Sequence, residues 1–324
     1  METVLSITDL RTHFYTREGV AKAINGVTLC LGKGEVLGVV GESGCGKSAT
    51  ALSILRLVPP PGKIVSGEII FEGTDLLTLP IREMRKIRGD RISMIFQEPM
   101  ISLNPAFTIE NQLIEALQAH RRLTLADARD LAVGMLRQVE IPSPERRIKE
   151  YPHQLSGGMR QRVMIAEAML LDPQILIADE PTTALDVTIQ AQVLEIMYRL
   201  TQQRGTGIIL ITHNLGLVAE SAQRVVVMYA GKVVEEGPVR AIFEEAGHPY
   251  TQGLLRSVPI PGQRRDRTRP GLYEIKGIVP SLFDLPRGCP FHPRCPLAKD
   301  VCSQEDPPWV SLTGGRHTAC WLYA

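Results

Sequence analysis

The chain contains no apolar run approaching the ~18 residues that cross a bilayer, so it carries no transmembrane helix of its own. It also has no charge excess. Lys and Arg number 36 against 35 Asp and Glu, a net charge of +1, which argues against a protein held on nucleic acid by bulk charge. The opening Met1-Glu2-Thr3-Val4-Leu5 lacks a basic stretch followed by an apolar one, so no secretory signal is expected. A cytosolic chain is the default, with any membrane role coming through a partner. No internal repeat or low-complexity tract stands out. Cysteine is sparse in the front half, with only Cys30 and Cys45, and then Cys289, Cys295, Cys302 and Cys320 crowd the end. In a reducing cytosol such a cluster suggests metal before disulfide. The 324 residues suffice for one large or two modest domains.

Gly41-Glu42-Ser43-Gly44-Cys45-Gly46-Lys47-Ser48 is the most informative stretch that is present, and it fits the phosphate-binding pattern G-x-x-x-x-G-K-[ST]. Glu35–Val40 before it reads as a short buried strand. Ala49–Val58 after it reads as a helix stopped by Pro59-Pro60-Pro61. In that context backbone N–H groups can wrap phosphates at the positive end of the helix dipole. Gly44 and Gly46 are expected to let the backbone approach without a Cβ in the way. Lys47 supplies a point charge, and the Ser48 hydroxyl can ligate Mg²⁺.

Further along, Ile64–Phe71 and Arg91–Phe96 read as strands, with Glu72-Gly73 a turn. Residues 111–140 read as helical, with Leu113, Leu117, Leu131, Met135, Leu136 and Val139 on apolar faces. Met159–Leu171 reads as another helix. Ile175–Ala178 and Ile208–Thr212 have the continuous apolar character of strands buried on both faces of a parallel sheet. Val225–Met228 and Lys232–Glu236 flank Ala230-Gly231 as a hairpin. Strands alternating with helices around a helical insert predict an α/β nucleotide-binding core. After about residue 240 the composition changes, and residues 264–271 form a charged tether or a contact for lipid headgroups.

Two more stretches suit a nucleotide site. Ile175–Glu180 is an apolar strand ending in two acids. Asp179 is placed to hold Mg²⁺ through its water shell, and Glu180 to polarise an attacking water. Leu155-Ser156-Gly157-Gly158-Met159-Arg160-Gln161-Arg162 opens a helix with Ser and two glycines, a second anion site. Two such sites for one phosphate chain are most economically explained by completion across a dimer.

With these motifs in order, residues 1–240 resemble the ATP-binding-cassette (ABC) ATPases. Gly41–Ser48 matches that family's Walker A, Gln97 its Q-loop glutamine and Leu155–Arg162 its signature. Ile175–Glu180 matches Walker B, Ala184-Leu185-Asp186 the D-loop and His213 the switch histidine. The resemblance implies a P-loop core with an N-terminal antiparallel β subdomain and a helical insert at about residues 100–170. It implies ATP bound by Gly41, Glu42, Ser43, Gly44, Cys45, Gly46, Lys47, Ser48 and Ala49. Mg²⁺ would be ordered by Ser48, Gln97 and Asp179. Glu180 would be the general base, with His213 at the γ-phosphate and Gln97 completing the catalytic set. Ser156, Gly157, Gly158 and Gln161 would reach the partner's ATP, and Asp186 would couple the two sites. Phe14 and Tyr15 are both candidates to stack on adenine, with His13 beside them. Two such chains would sandwich two ATP molecules and move attached membrane subunits. Cys45 stands where many relatives carry Ser, and its alkylation is expected to block ATP binding.

The tail, residues 241–324, is expected to be small and irregular, with Cys spacing C-x5-C-x6-C-x17-C. Four thiolates can hold Zn²⁺ or an iron–sulfur cluster, and the absence of C-x2-C knuckles favours the cluster. His292 reads as a loop residue, with metal ligation the alternative. Gly247–Leu255 together with Cys289–Pro296, and in the same vein Gln97–Pro105, resemble the ATPase subunits of oligopeptide/dipeptide importers. That resemblance implies a [4Fe–4S] cluster on Cys289, Cys295, Cys302 and Cys320, with Zn²⁺ the alternative. It implies a second ATPase subunit, two transmembrane permease subunits and an extracytoplasmic substrate-binding protein as partners, and no nucleic acid. The chain would sit peripherally on the cytoplasmic face of the membrane. Nickel or sugar importers are the alternatives within the class, and a soluble cassette ATPase of DNA repair or translation the alternative outside it.

Overall fold

The computed structural model describes residues 2–97, 102–182, 186–258 and 273–324. The D-loop residues Ala184 and Leu185 and the charged stretch 264–271 lie outside these. The chain forms two compact units, one of Met1–Thr3, Leu31–Glu35 and Thr78–Leu210, the other of Val4–Cys30, Val36–Leu77 and Ile211–Ala324. The tail and the phosphate loop share the second unit.

In the loop-bearing unit, β1 (Thr3–Thr16) lies between β2 (Gly19–Gly32) and β4 (Gly62–Phe71), with β5 (Thr74–Asp75) at the edge. β1 and β4 are antiparallel, from Leu5 opposite Phe71 to Phe14 opposite Gly62. The buried positions of β1 switch from odd (Leu5, Ile7) to even (Leu10, Thr12). The switch falls at Asp9, where φ is +44° and the ladder slips, so an extra residue turns the rest of the strand over. The consequence is that Phe14 shares a face with Thr12, whose hydroxyl lies 2.9 Å from the Ser53 hydroxyl of the Lys47–Ile54 helix.

The same unit holds β3 (Val36–Val40), fully buried and parallel to β9 (Arg224–Tyr229). β9 turns through Ala230 and Gly231, both at positive φ, into antiparallel β10 (Lys232–Pro238), the expected hairpin. The tail then adds to it. β12 (His317–Ala319) pairs with β10, and β11 (Trp309–Ser311) pairs with β12. The expected irregular tail is thus partly strand, supported by a neighbour that its own sequence does not reveal.

In the other unit, β6 (Ile92–Ile95) runs parallel to β7 (Ile175–Asp179), which β8 (Gly207–Ile211) flanks. Every residue of β7 and β8 is buried, as their unbroken apolar runs predict. The expected helical stretch 111–140 is two helices, Ile109–His120 and Leu125–Gln138, capped by the Thr108 and Thr124 hydroxyls. Leu131 is 46% exposed rather than core, because Ala128, Ala132 and Leu136 define the inner face. Among the described residues no helix is long and apolar enough to cross a membrane.

One half-buried acid makes a test of this unit. Glu167, on the Gly157–Met169 helix, lines a cavity of about 180 Å³ with Ser93, His120 and Met164. Burial, aided by negative Glu115, raises its carboxyl from 4.5 to about 7. Between those pH values the folded chain holds a proton here that the unfolded chain has lost, so stability falls as pH rises through the window. Glu167→Gln is expected to flatten that fall and to stabilise the chain above pH 7 by about 3 kcal/mol. Thermal unfolding of both chains across pH checks it; the same slope in both would place the carboxylate in water.

Candidate active site

The loop 41–46 runs from β3 into the Lys47–Ile54 helix, and its three glycines all have positive φ. Their reasons differ. A Cβ on Gly41 would lie 2.2 Å from the Met228 carbonyl oxygen, and one on Gly46 2.4 Å from that of Ala23. A Cβ on Gly44 meets nothing within 4 Å. Gly46 is therefore required by the loop's own close packing. Gly44 and Ser43 are exposed, the face a phosphate would meet. Ser48 and Ala49 are half-buried at the helix start. Lys47 is buried, and its Nζ donates to the carbonyls of Gly41 (2.8 Å) and Glu42 (3.0 Å).

Cys45 overturns its expectation. It is 1% exposed, with its sulfur packed behind the loop towards Gly41. Burial raises the thiol despite nearby Lys47. A buried, protonated thiol is a poor target for alkylation.

Glu42 has partners that sequence reasoning missed. Its N–H donates to the Tyr250 hydroxyl (2.8 Å), and its carboxylate takes both terminal nitrogens of Arg294 (2.7 and 3.1 Å). Arg294 was visible only as a residue inside the cysteine motif. His213, after β8, is exposed and lines a cleft of about 280 Å³ with Val40, Gly41, Glu42 and Leu254. His213 and the start of the phosphate loop thus face one space. Phe14 leans over Gly62 on the Thr12 face, whereas Tyr15 is 45% exposed on the opposite face, under the Lys63 ammonium.

In the other unit, Asp179 is buried at the end of β7, and Glu180 follows at φ +45°, a conformation uncommon for a residue with a side chain. The Gln97 amide donates to the Glu180 carboxylate at 3.0 Å, so two expected catalytic groups meet. The Ser156 hydroxyl caps the Gly157–Met169 helix by accepting from Met159 N–H. Gly158 sits where a Cβ would be 2.7 Å from Ile189, so it is required by helix packing as well. Gln161 is buried and donates to the Pro181 carbonyl, a tie beneath the acid strand. Asp186 caps the Val187–Arg204 helix through the Ile189 N–H.

The cysteine expectation is not met by this arrangement. Among the described residues no three His, Cys, Asp or Glu side chains converge as a metal requires. Cys289 and Cys320 are buried, whereas Cys295 and Cys302 are half-buried. Burial raises the Cys289 thiol to about 11, with the neighbouring Cys302, Cys320 and Cys295 adding to the shift. His292 turns its Nδ1 to the Cys289 carbonyl, a loop contact as expected. The residues present do not form a ready site for a [4Fe–4S] cluster or Zn²⁺, and no chemistry is assigned to one.

Comparison with known proteins fits the geometry. The ABC transporter family matches residues 24–183, and the oligopeptide/dipeptide transporter C-terminal region matches residues 234–302. A probable peptide ABC transporter ATP-binding protein of Sinorhizobium fredii is 52% identical over 99% of this chain and 95% of its own. A dipeptide transport ATP-binding protein of Bacillus subtilis is 50% identical over 99% and 95%. An ATP-binding cassette solved as a dimer with ADP and Pi superposes with a TM-score of 0.66 at 28% identity, covering 73% of this chain and 99% of that one. The chain is an ATPase that belongs to the ATP-binding-cassette transporter family, in the branch whose cassette is followed by the oligopeptide/dipeptide transporter C-terminal region.

Proposed function

We propose that this chain is the energy-coupling subunit of an importer for di- or oligopeptides. It works as one of a pair of ATPases on the cytoplasmic face of the membrane, bound to two permease subunits and supplied by an extracytoplasmic binding protein. The observation that carries this reading is the match at residues 234–302, a region additional to the cassette and named for peptide transporters. Peptide transport is also what the names of the full-length relatives state.

In this reading the amides of residues 43–48 and the Lys47 ammonium hold the phosphates. Phe14 stacks on adenine, because the Asp9 bulge turns it to the face of the phosphate-loop helix. Ser48, Gln97 and Asp179 offer the oxygen donors that Mg²⁺ prefers. Mg²⁺, when bound, neutralises charge on the phosphates. Glu180 takes the proton of the attacking water, with Gln97 holding its carboxylate, and His213, beside Gly41 and Glu42 in their cleft, serves the γ-phosphate. Ser156 and Gly158 serve the ATP of the partner ATPase, and Asp186 links the two sites. The exposed rings of Phe96 and Phe107 support a docking face for the permease subunits in the groove of the 97–111 segment and the helical insert.

The test is ATP turnover by the importer complex, captured through a tag on this chain and placed in liposomes. Di- or oligopeptides with their binding protein are expected to stimulate turnover several-fold, while Ni²⁺ and sugars leave it at the basal rate. Stimulation by Ni²⁺ or a sugar alone would move the chain to that importer class.

A further inference from the structure

Glu42 occupies the first variable position of the phosphate loop, and each of its polar groups is committed. Its N–H goes to the Tyr250 hydroxyl, its carbonyl accepts from Lys47 Nζ, and its carboxylate receives Arg294. The last pair is charge-assisted and bidentate, the strong class of hydrogen bond, and the Arg294 side chain is only 4% exposed.

Both outer partners are themselves fixed. Arg294 also donates to the carbonyls of Ile275 and Lys276 and to the Tyr229 hydroxyl, which uses every N–H of its guanidinium. Tyr250 packs against Tyr229 and Phe291, with ring centroids 4.6 and 5.4 Å away, and all three rings are fully buried. Below them, buried Glu235 on β10 accepts from the N–H groups of Gly247 and His248, which anchors the turn that leads into Tyr250. The anchors lie in residues 234–302, the region that sets this branch apart.

We infer that Arg294 and Tyr250 of the C-terminal region are positioning residues for ATP, acting through Glu42 on Lys47. The route is short. Arg294 fixes the Glu42 side chain, Tyr250 fixes its backbone, and the Glu42 carbonyl holds the ammonium that must meet the phosphates. A loop prearranged in this way gives up less conformational freedom when nucleotide arrives. The C-terminal region is then part of the nucleotide site, and whatever displaces it weakens ATP binding.

The inference rests on Gly41–Ser48 being the ATP phosphate site, so Lys47→Ala is included to test that reading separately. The experiment measures MgATP Kd, KM and kcat, together with thermal unfolding, for the full chain. The variants are Glu42→Gln, Arg294→Gln, their double variant, and Arg294→Lys. Each single Gln variant is expected to raise Kd and KM about tenfold, the size of one lost charge-assisted hydrogen bond. The double variant should show the same tenfold rise, because the two residues act as one unit. Arg294→Lys, which keeps the charge without the fork, should recover part of the loss. Three results would overturn the inference: unchanged KM with only a lowered Tm in the Arg294 variants, multiplying effects in the double variant, or no effect of Glu42→Gln. Lys47→Ala binding ATP normally would overturn the loop reading and this inference together.

Discussion

Glu180→Gln is expected to bind MgATP with near-normal affinity and to hydrolyse it about 10³-fold more slowly, the usual scale for losing a positioned general base. The substitution is well matched to the site. The new side chain keeps the length of the old one and has an amide oxygen able to accept from Gln97 Nε2, the bond seen at 3.0 Å. The backbone at φ +45° asks nothing of Gln that it does not ask of Glu. What disappears is the capacity to take a proton from water. Because binding and closure remain, ATP should accumulate in a long-lived dimer, visible by size-exclusion chromatography as a species that wild type forms only transiently. The decisive comparison is single-turnover hydrolysis against nucleotide affinity. Loss of affinity in parallel with rate would mean that Glu180 holds nucleotide, and wild-type turnover would remove it from the base role.

The elements that carry the candidate residues were legible because their motifs are local. The phosphate loop follows β3 and opens a helix, Asp179 closes β7, and His213 follows β8, each where the strand and helix pattern puts it. What was not legible depends on distant pairing. Arg294 meets Glu42 across 252 positions, and no periodicity reports such a contact. The same holds for β12, which is a strand because β10 offers an edge. Phe14 and Tyr15 could not be separated by alternation alone, since the bulge at Asp9 shifts the parity of β1. On the signature helix, the burial of Gln161 and its bond to the Pro181 carbonyl were equally invisible in the motif. Cys45 likewise lies in the loop by sequence but behind it in space. Motif membership locates a residue near the chemistry, and only the direction of its side chain says whether it takes part.

That distinction separates two glycines of the phosphate loop, and Gly46→Ala is expected to have the larger effect. Its φ of +107° is a conformation that L side chains rarely adopt, and its Cβ would stand 2.4 Å from the Ala23 carbonyl oxygen. Neither partner can yield cheaply. Ala23 is backbone in β2, and Gly46 is the residue from which the Lys47–Ile54 helix starts. The loop must therefore open, which misdirects its amides and costs about 3 kcal/mol or more of stability. MgATP affinity should fall at least about 100-fold, which in free energy is the same order. Gly44→Ala is the control. Its φ is +77°, but a methyl there meets open space, so the cost to the empty chain is about 1 kcal/mol of backbone strain. Its methyl would point where the phosphates come, so affinity should fall with little change in Tm. Thermal unfolding and MgATP titration of the two variants read the difference directly. A Gly46→Ala chain that melts and binds like wild type would mean that the loop does not press against β2 when nucleotide is bound. Equal Tm losses in both variants would mean that positive φ alone, rather than the Ala23 contact, governs this turn.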